Sequence, residues 1–436
     1  MIKCICKDEM PHGIYEVPIE PDKPFQRQDV RKLWFFLLRE GVRPTLEKVF
    51  ARIRQQKRAL HQTVAVRVGY CNGISFDGGQ NFYFSDLPQS HWASPFSYDI
   101  LAQSDEEKGC SKNPVVNALY VLGFGNYAQT YTKLLHEKLR GRYLLDYNHS
   151  ILNDYADKFD FFGNNIKTLL PVWAIDTNPV AVVASYHSDH ARQAYRLFKS
   201  NPEGFIFIEK PPLVDISELD LFREMYSNNA RINIGFNRRF SPLARRLRNE
   251  LSESAPKFIN ISVNEVKINP SHWYFWPNQG TRITGNACHW IDMCQWFVNT
   301  KPTHLNLLSS CADKDDCVLA ISYQDGSLAS IFLSDKGNSL RGVQESIKVK
   351  QDGQTFVLND MTELFTLKKS GASKRIIRLK RDKGHRRMYD NFLNDVQKGR
   401  ISNQYPLEDL EFVSRVMAEF SDMLERNVKT RKLEWD

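Results

Sequence analysis

The chain has 436 residues, of which 42% are hydrophobic and 25% charged, with a formal charge of +8. That is ordinary globular composition, with length for about three domains, and no apolar run approaches the ~20 residues of a membrane span. The charge excess is local: Arg27 to Arg58 holds ten Lys or Arg against Asp29, Glu40 and Glu47, so the near-neutral remainder argues against a nucleic-acid binder.

The N-terminus, MIKCICKDEMPHG, is charged and lacks the apolar stretch of a secretory signal, so a cytoplasmic protein is expected. Eight cysteines without any C-x-x-C pair fit reduced thiols, and no metal site is expected. Residues 1–112 form an N-terminal extension, helical and then irregular. QDVRKLWFFLLRE and TLEKVFARIRQQKR both read as helices, and Leu46, Val49, Phe50 and Ile53 make an apolar stripe with basic residues opposite. Such a helix can lie on a membrane or nucleic acid, or dock on a core with a solvated cationic face. Docking is the expectation. CNGISFDGGQNFYFSDLPQSHWASPFS reads as loop with short strands, and AQSDEEKGCSKNP as a linker.

From residue 113 to 238 strands and helices alternate: VVNALYVLG, NYAQTYTKLLHEKLR, RYLLDYN, AVVASY, SDHARQAYRLFKS, FIFIEK, DISELDLFREMYS and RINIGFN. Apolar strands separated by helices predict an α/β, Rossmann-type doubly wound parallel sheet. From 239 to 436 the pattern becomes α+β. The helix PLARRLRNEL leads into the alternating runs KFINISVNEV, THLNLLSS, CVLAISYQDGSLASIFLSD and ESIKVKQDGQTFVLND. Their Asp325-Gly326 and Asp352-Gly353 turns predict hairpins in a mostly antiparallel sheet, and two helices close the chain.

Four stretches carry chemistry. GFGNYA, after the first parallel strand, has the order G-x-G-x-x-A: Gly123 for the tight turn, Gly125 for close approach of a pyrophosphate, Ala128 for helix packing. Asp146 ends the next strand, where an acid accepts from ribose hydroxyls and repels a 2′-phosphate; this favours NAD over NADP. Glu209 and Lys210 emerge where the buried strand FIFI ends, the side of a parallel sheet on which ligands bind. His272, Arg282, His289 and Asp292 lie among Trp273, Trp276, Trp290 and Trp296, the mixture of rings and polar groups that suits a polyol pocket. A histidine of ordinary pKa ~6.5 beside a lysine suits acid–base work on a carbinol or carbonyl.

In order, VLGFGNYA, DYN, ASYHSDHARQA, IEKPP, GFNRRFSP, GTRITGNACHWIDM and YQDGS resemble the Gfo/Idh/MocA family of nicotinamide-dependent oxidoreductases. NPSHW…GTRITGNACHWID and KGHRRMYDNFL are similar to its bi-domain branch, whose medium-chain-dehydrogenase-like first half would survive here as the shortened residues 1–112. The resemblance implies NAD-dependent hydride transfer at a sugar, sugar nucleotide or related polyol. It implies catalytic roles for Lys210 and His289, with Asp292 orienting His289. The cofactor site would comprise Gly123, Phe124, Gly125, Asn126, Tyr127, Ala128, Asp146, Ser185, His187, His190, Glu209 and Lys210. The substrate residues would be His272, Trp273, Arg282 and Asn286, the setting carbohydrate metabolism or polysaccharide biosynthesis, and the protein a homo-oligomer. Two positions depart from the pattern: Gly285 stands where many members have Asp, and Asn286 where bi-domain relatives often have Glu. A catalytically degenerate dinucleotide-binding regulatory or partner subunit is therefore the alternative.

Overall fold

The structure is a computed structural model that describes residues 114–131, 133–146, 158–163, 166–268, 280–309, 316–337 and 342–435. It also describes the strands Val64–Val68, Cys71–Ser75 and Tyr83–Ser85, which form a small antiparallel sheet, and a few isolated positions. The two expected N-terminal helices and the linker after them lie largely outside the described residues, as do His272 and Trp273.

Six strands form the first large sheet: β1 (Leu119–Leu122), β2 (Gly141–Leu145), β3 (Phe161–Gly163), β4 (Val180–Val183), β5 (Phe205–Ile208) and β6 (Arg231–Ile234). Their order is β3-β2-β1-β4-β5-β6 and every pairing is parallel. Both faces are covered, so β1, β4 and β5 are buried at every position and read in sequence as unbroken apolar runs. The order reverses between β1 and β4, and the crevice outside the strand ends at such a point is where these sheets bind ligands.

The connecting helices are α1 (Asn126–Tyr131), α2 (Lys133–His136), α3 (Ile166–Ile175), α4 (His190–Ser200) and α5 (Leu219–Ser227). The sequence predicts a single long helix where α1 and α2 stand. It gives no warning of α3, whose interior Pro171 removes one backbone donor. Buried Ile166, Leu169 and Trp173 hold α3 in place, and Trp173 donates its indole N–H to Leu197 O at 2.9 Å.

After α6 (Pro242–Glu250) the described residues form nine further strands: β7 (Phe258–Asn264), β8 (Pro302–Ser309), β9 (Cys317–Tyr323), β10 (Leu328–Ser334), β11 (Gln344–Gln351), β12 (Gln354–Asn359), β13 (Glu363–Leu367), β14 (Ser373–Ile377) and β15 (Thr430–Lys432). The order is β14-β13-β12-β11-β7-β10-β9-β8-β15, antiparallel except for β7 with β10. Asp352 and Gly353 both have positive φ, the conformation a two-residue hairpin requires. The inner face, with Ile259, Ile261, Ile331 and Val349, packs on α7 (Cys288–Val298) and α9 (Leu407–Arg426). Between the last strands, α8 (His385–Gln397) crosses to the first sheet, where Met388, Tyr389, Phe392 and Leu393 join the cluster of Val121, Val182 and Phe207. This crossing brings the second unit against the strand ends of the first.

Candidate active site

The turn after β1 is built for close backbone approach. Gly123 has φ +86°, and a Cβ there would lie 2.4 Å from Ala184 O and from the Ser185 backbone, so only glycine fits. A Cβ on Gly125, by contrast, would meet nothing within 4 Å. That side of the turn is open. The Phe124 side chain turns down onto Tyr155, Phe159 and His136. Its N–H turns to Asp146 and donates to Oδ2 at 2.6 Å. Asp146 therefore braces the glycine turn as well as standing at the end of β2.

At the end of β5, Glu209 and Lys210 diverge. Glu209 is buried, and its Oε1 accepts from the Tyr389 hydroxyl of α8. Burial pushes its carboxyl up to about 7, against the opposing pull of Tyr389, Lys210 and Tyr127. Tyr127 belongs to the glycine turn, and its ring stands 5.9 Å from that of His385 at the start of α8. Glu209 thus joins the turn, the lysine and the crossing helix. Lys210, partly exposed, donates from Nζ to Gly285 O at 2.9 Å, across from one sheet unit to the other.

Gly285 lies in a π-helical turn, Ile283–Ala287, that runs into α7. Such a turn displaces the residues that follow, and here it brings the Gly285 carbonyl to Lys210. One turn on, His289 is buried and its Nδ1 has no hydrogen-bond partner among the described residues. Burial drives its pKa well below the ordinary value, and Arg238, Lys210, His385 and Lys383 add to this. A histidine of ordinary pKa was expected, but the ring is held neutral. Sequence reasoning missed a buried acid bonded to the next residue, Trp290: Glu345 accepts from Arg238 Nε at 2.6 Å and Trp290 Nε1 at 2.7 Å, and pairs with Lys383 at 3.3 Å. Burial opposes ionisation of Glu345, yet Arg238 and Lys383 outweigh it and hold its pKa at about 2.

Asp292 was expected to orient His289, but the structure gives it other partners. Its carboxylate is fully buried and accepts from Arg239 Nε at 2.9 Å and the Tyr405 hydroxyl at 2.6 Å. Arg239 also reaches Asp409 at 2.7 Å, so Asp292 belongs to a buried charge network tying α7 to α9. His190 is likewise positioned as a clamp. Its two ring nitrogens face Pro211 O at 2.7 Å and Ser185 O at 3.1 Å, and burial lowers its pKa to about 4. Ser185 Oγ donates to Gln193, and His187 is buried with its ring 6.0 Å from that of His190. Arg282 is buried beside Glu265, 3.4 Å away, and Asn286 donates to the same carboxylate at 2.9 Å. Glu265 has a legible signal that was missed: it continues the inward alternation of Ile259, Ile261 and Val263.

No protein-family model matches the chain, and no curated protein does. Solved structures do share its fold. An oxidoreductase domain protein from Kribbella flavida superposes with a TM-score of 0.62 at 13% identity, covering 74% of this chain and 100% of that one. Levoglucosan dehydrogenase in complex with NADH and levoglucosan gives 0.61 at 14%, covering 73% and 100%. GenD2 from gentamicin A biosynthesis, in complex with NAD, gives 0.58 at 14%, covering 74% and 97%. The chain therefore shares the two-sheet fold of these structures, with a parallel Rossmann-type sheet followed by a mostly antiparallel one.

Proposed function

We propose that the protein is a Gfo/Idh/MocA-type oxidoreductase that transfers hydride between NAD and a carbinol or carbonyl carbon of a sugar, sugar nucleotide or related polyol. The observation that carries this reading is that Lys210, at the carboxyl end of β5, donates to Gly285 O one turn before His289, close enough that its charge lowers the pKa of that histidine. The fold neighbours crystallised with NAD, or with NADH and levoglucosan, support the cofactor and the substrate class.

The open side of Gly125 fits a pyrophosphate, and Asp146 fits ribose hydroxyls while disfavouring a 2′-phosphate. A nicotinamide bound along this edge supplies the hydride donor or acceptor. Lys210 commits one N–H to Gly285 and retains others to hold and polarise the substrate oxygen. Neutral His289 accepts the hydroxyl proton in oxidation and returns it in reduction, with cationic neighbours keeping the protonated state short-lived. The Glu209 link to Tyr389 keeps Lys210 in register with the turn. Phe258 and Phe332, 47% and 44% exposed on the outer face of the second sheet, support a homo-oligomer.

The test is titration with NADH and NADPH, following nicotinamide fluorescence at matched ionic strength. NADH should bind more tightly. Lys210→Met should then abolish turnover while leaving NADH affinity within a few-fold. Binding of neither dinucleotide would overturn the reading; binding without turnover of any sugar or polyol would favour the regulatory subunit.

A further inference from the structure

Beside Lys210 lies a carboxylate that the proposed chemistry does not use. Glu265 is 1% exposed, one step beyond β7 on its inner face, with its N–H donated to Ser334 O at 2.7 Å. Oε2 accepts from Asn286 Nδ2 at 2.9 Å and from Arg282 at 3.4 Å, whereas Oε1 is buried and accepts nothing from the described residues. Burial raises the pKa of this carboxyl, and Arg282, Arg238 and Lys210 act in the opposite direction.

The polarity of this arrangement is informative. An amide has a donor end and an acceptor end, whereas a carboxylate can only accept. Glu265 therefore captures the NH2 of Asn286 and turns its Oδ1 the other way. Asn286 is half-buried and follows directly on Gly285, whose carbonyl holds Lys210. One turn of chain thus sets a cationic donor next to an oriented acceptor. We infer that Glu265 is a positioning residue that fixes the Asn286 amide so that Oδ1 accepts from a substrate hydroxyl neighbouring the carbon that reacts, which selects vicinal diols. This rests on the oxidoreductase reading. A site built around an oriented acceptor rejects a molecule that brings no donor.

The test uses the full-length protein and compares D-glucose, D-galactose, D-xylose and myo-inositol as substrates for NAD reduction. The best of them is then compared with its monodeoxyfluoro derivatives, in which fluorine keeps the size of a hydroxyl but donates nothing. The wild type should discriminate against fluorine at one position next to the oxidised carbon by about tenfold or more in kcat/KM, carried by KM. The same ratio should appear in calorimetric binding to the protein–NADH complex. In Glu265→Gln the new amide can donate to Asn286 Oδ1, which allows Asn286 to turn its NH2 outward, so discrimination should fall to within about threefold while NADH affinity stays unchanged. Should Glu265→Gln fail to fold by circular dichroism, Asn286→Ala carries the same test and should lose the same discrimination. Full discrimination in a folded variant that binds NADH overturns this inference alone. A wild-type chain that binds no dinucleotide overturns the oxidoreductase reading, and this inference with it.

Discussion

Two glycines two positions apart should respond to alanine in opposite ways. At Gly123 the backbone has φ +86° and the added Cβ would sit 2.4 Å from the Ala184 carbonyl oxygen and the Ser185 backbone. The left-handed conformation alone costs roughly 1–2 kcal/mol for a residue with a Cβ, and the overlap is with main chain that cannot swing aside. Gly123→Ala should therefore lose more than about 2 kcal/mol of stability, and the turn must shift. At Gly125 nothing lies within 4 Å of the added carbon and φ is unexceptional, so Gly125→Ala should leave stability within about 0.5 kcal/mol of wild type. Yet that carbon fills the space assigned to the pyrophosphate, and NADH should bind at least about tenfold more weakly, or roughly 1.4 kcal/mol. Thermal unfolding and NADH fluorescence on the same preparations separate the two effects. Wild-type NADH affinity in a folded Gly125→Ala protein would refute the placement of the cofactor.

The remaining predictions concern charge. Asp146→Ser removes both the acid that disfavours a 2′-phosphate and the acceptor that holds Phe124 N–H at 2.6 Å. The NADPH-to-NADH affinity ratio should rise by about tenfold, and an unchanged ratio would exclude Asp146 as the ribose-binding acid. Glu209 has a pKa raised from 4.5 to about 7, so the folded state keeps a proton that the unfolded chain releases. Its contribution to stability is present below about pH 4.5 and lost as pH rises through about 7. Glu209→Gln should remove that loss, gaining about 3 kcal/mol over wild type by pH 8. The fall in Tm between pH 5 and 8 should be smaller in the variant, and equal falls would refute the assignment. Asp292→Asn leaves Arg239 underpaired in the core and should cost about 3–5 kcal/mol. Because Asp292 bonds Tyr405 and Arg239, the pH profile of turnover should not move; a shifted profile would show a link to His289 after all.

Much of this architecture is legible in the residues alone. β1, β4 and β5 are buried on both faces and therefore appear as continuous apolar runs, and the Asp-Gly pairs mark the β9–β10 and β11–β12 hairpins of the second sheet because few residues tolerate positive φ. Gly123 and Gly125 are likewise local signals, since turn geometry and close approach are properties of a few consecutive residues. α3 escaped notice because packing of Ile166, Leu169 and Trp173 outweighs the interior Pro171, and packing partners distant in sequence leave no local trace.

The partners of the site residues are the other half. A sequence places His289 and Asp292 on one helical face, but three positions of spacing cannot say that Asp292 faces Arg239 and Tyr405. Glu209 meets Tyr389 across 180 positions of sequence, and Lys210 meets Gly285 across 75. The positions of Gly123, Glu209 and Lys210 at strand ends were legible in the chain itself, because strand ends follow from local order. Which partner each buried carboxylate, histidine and amide meets was decided only by tertiary structure. The charge states that result depend on desolvation and on charges brought close by folding, and neither exists until the two sheets meet.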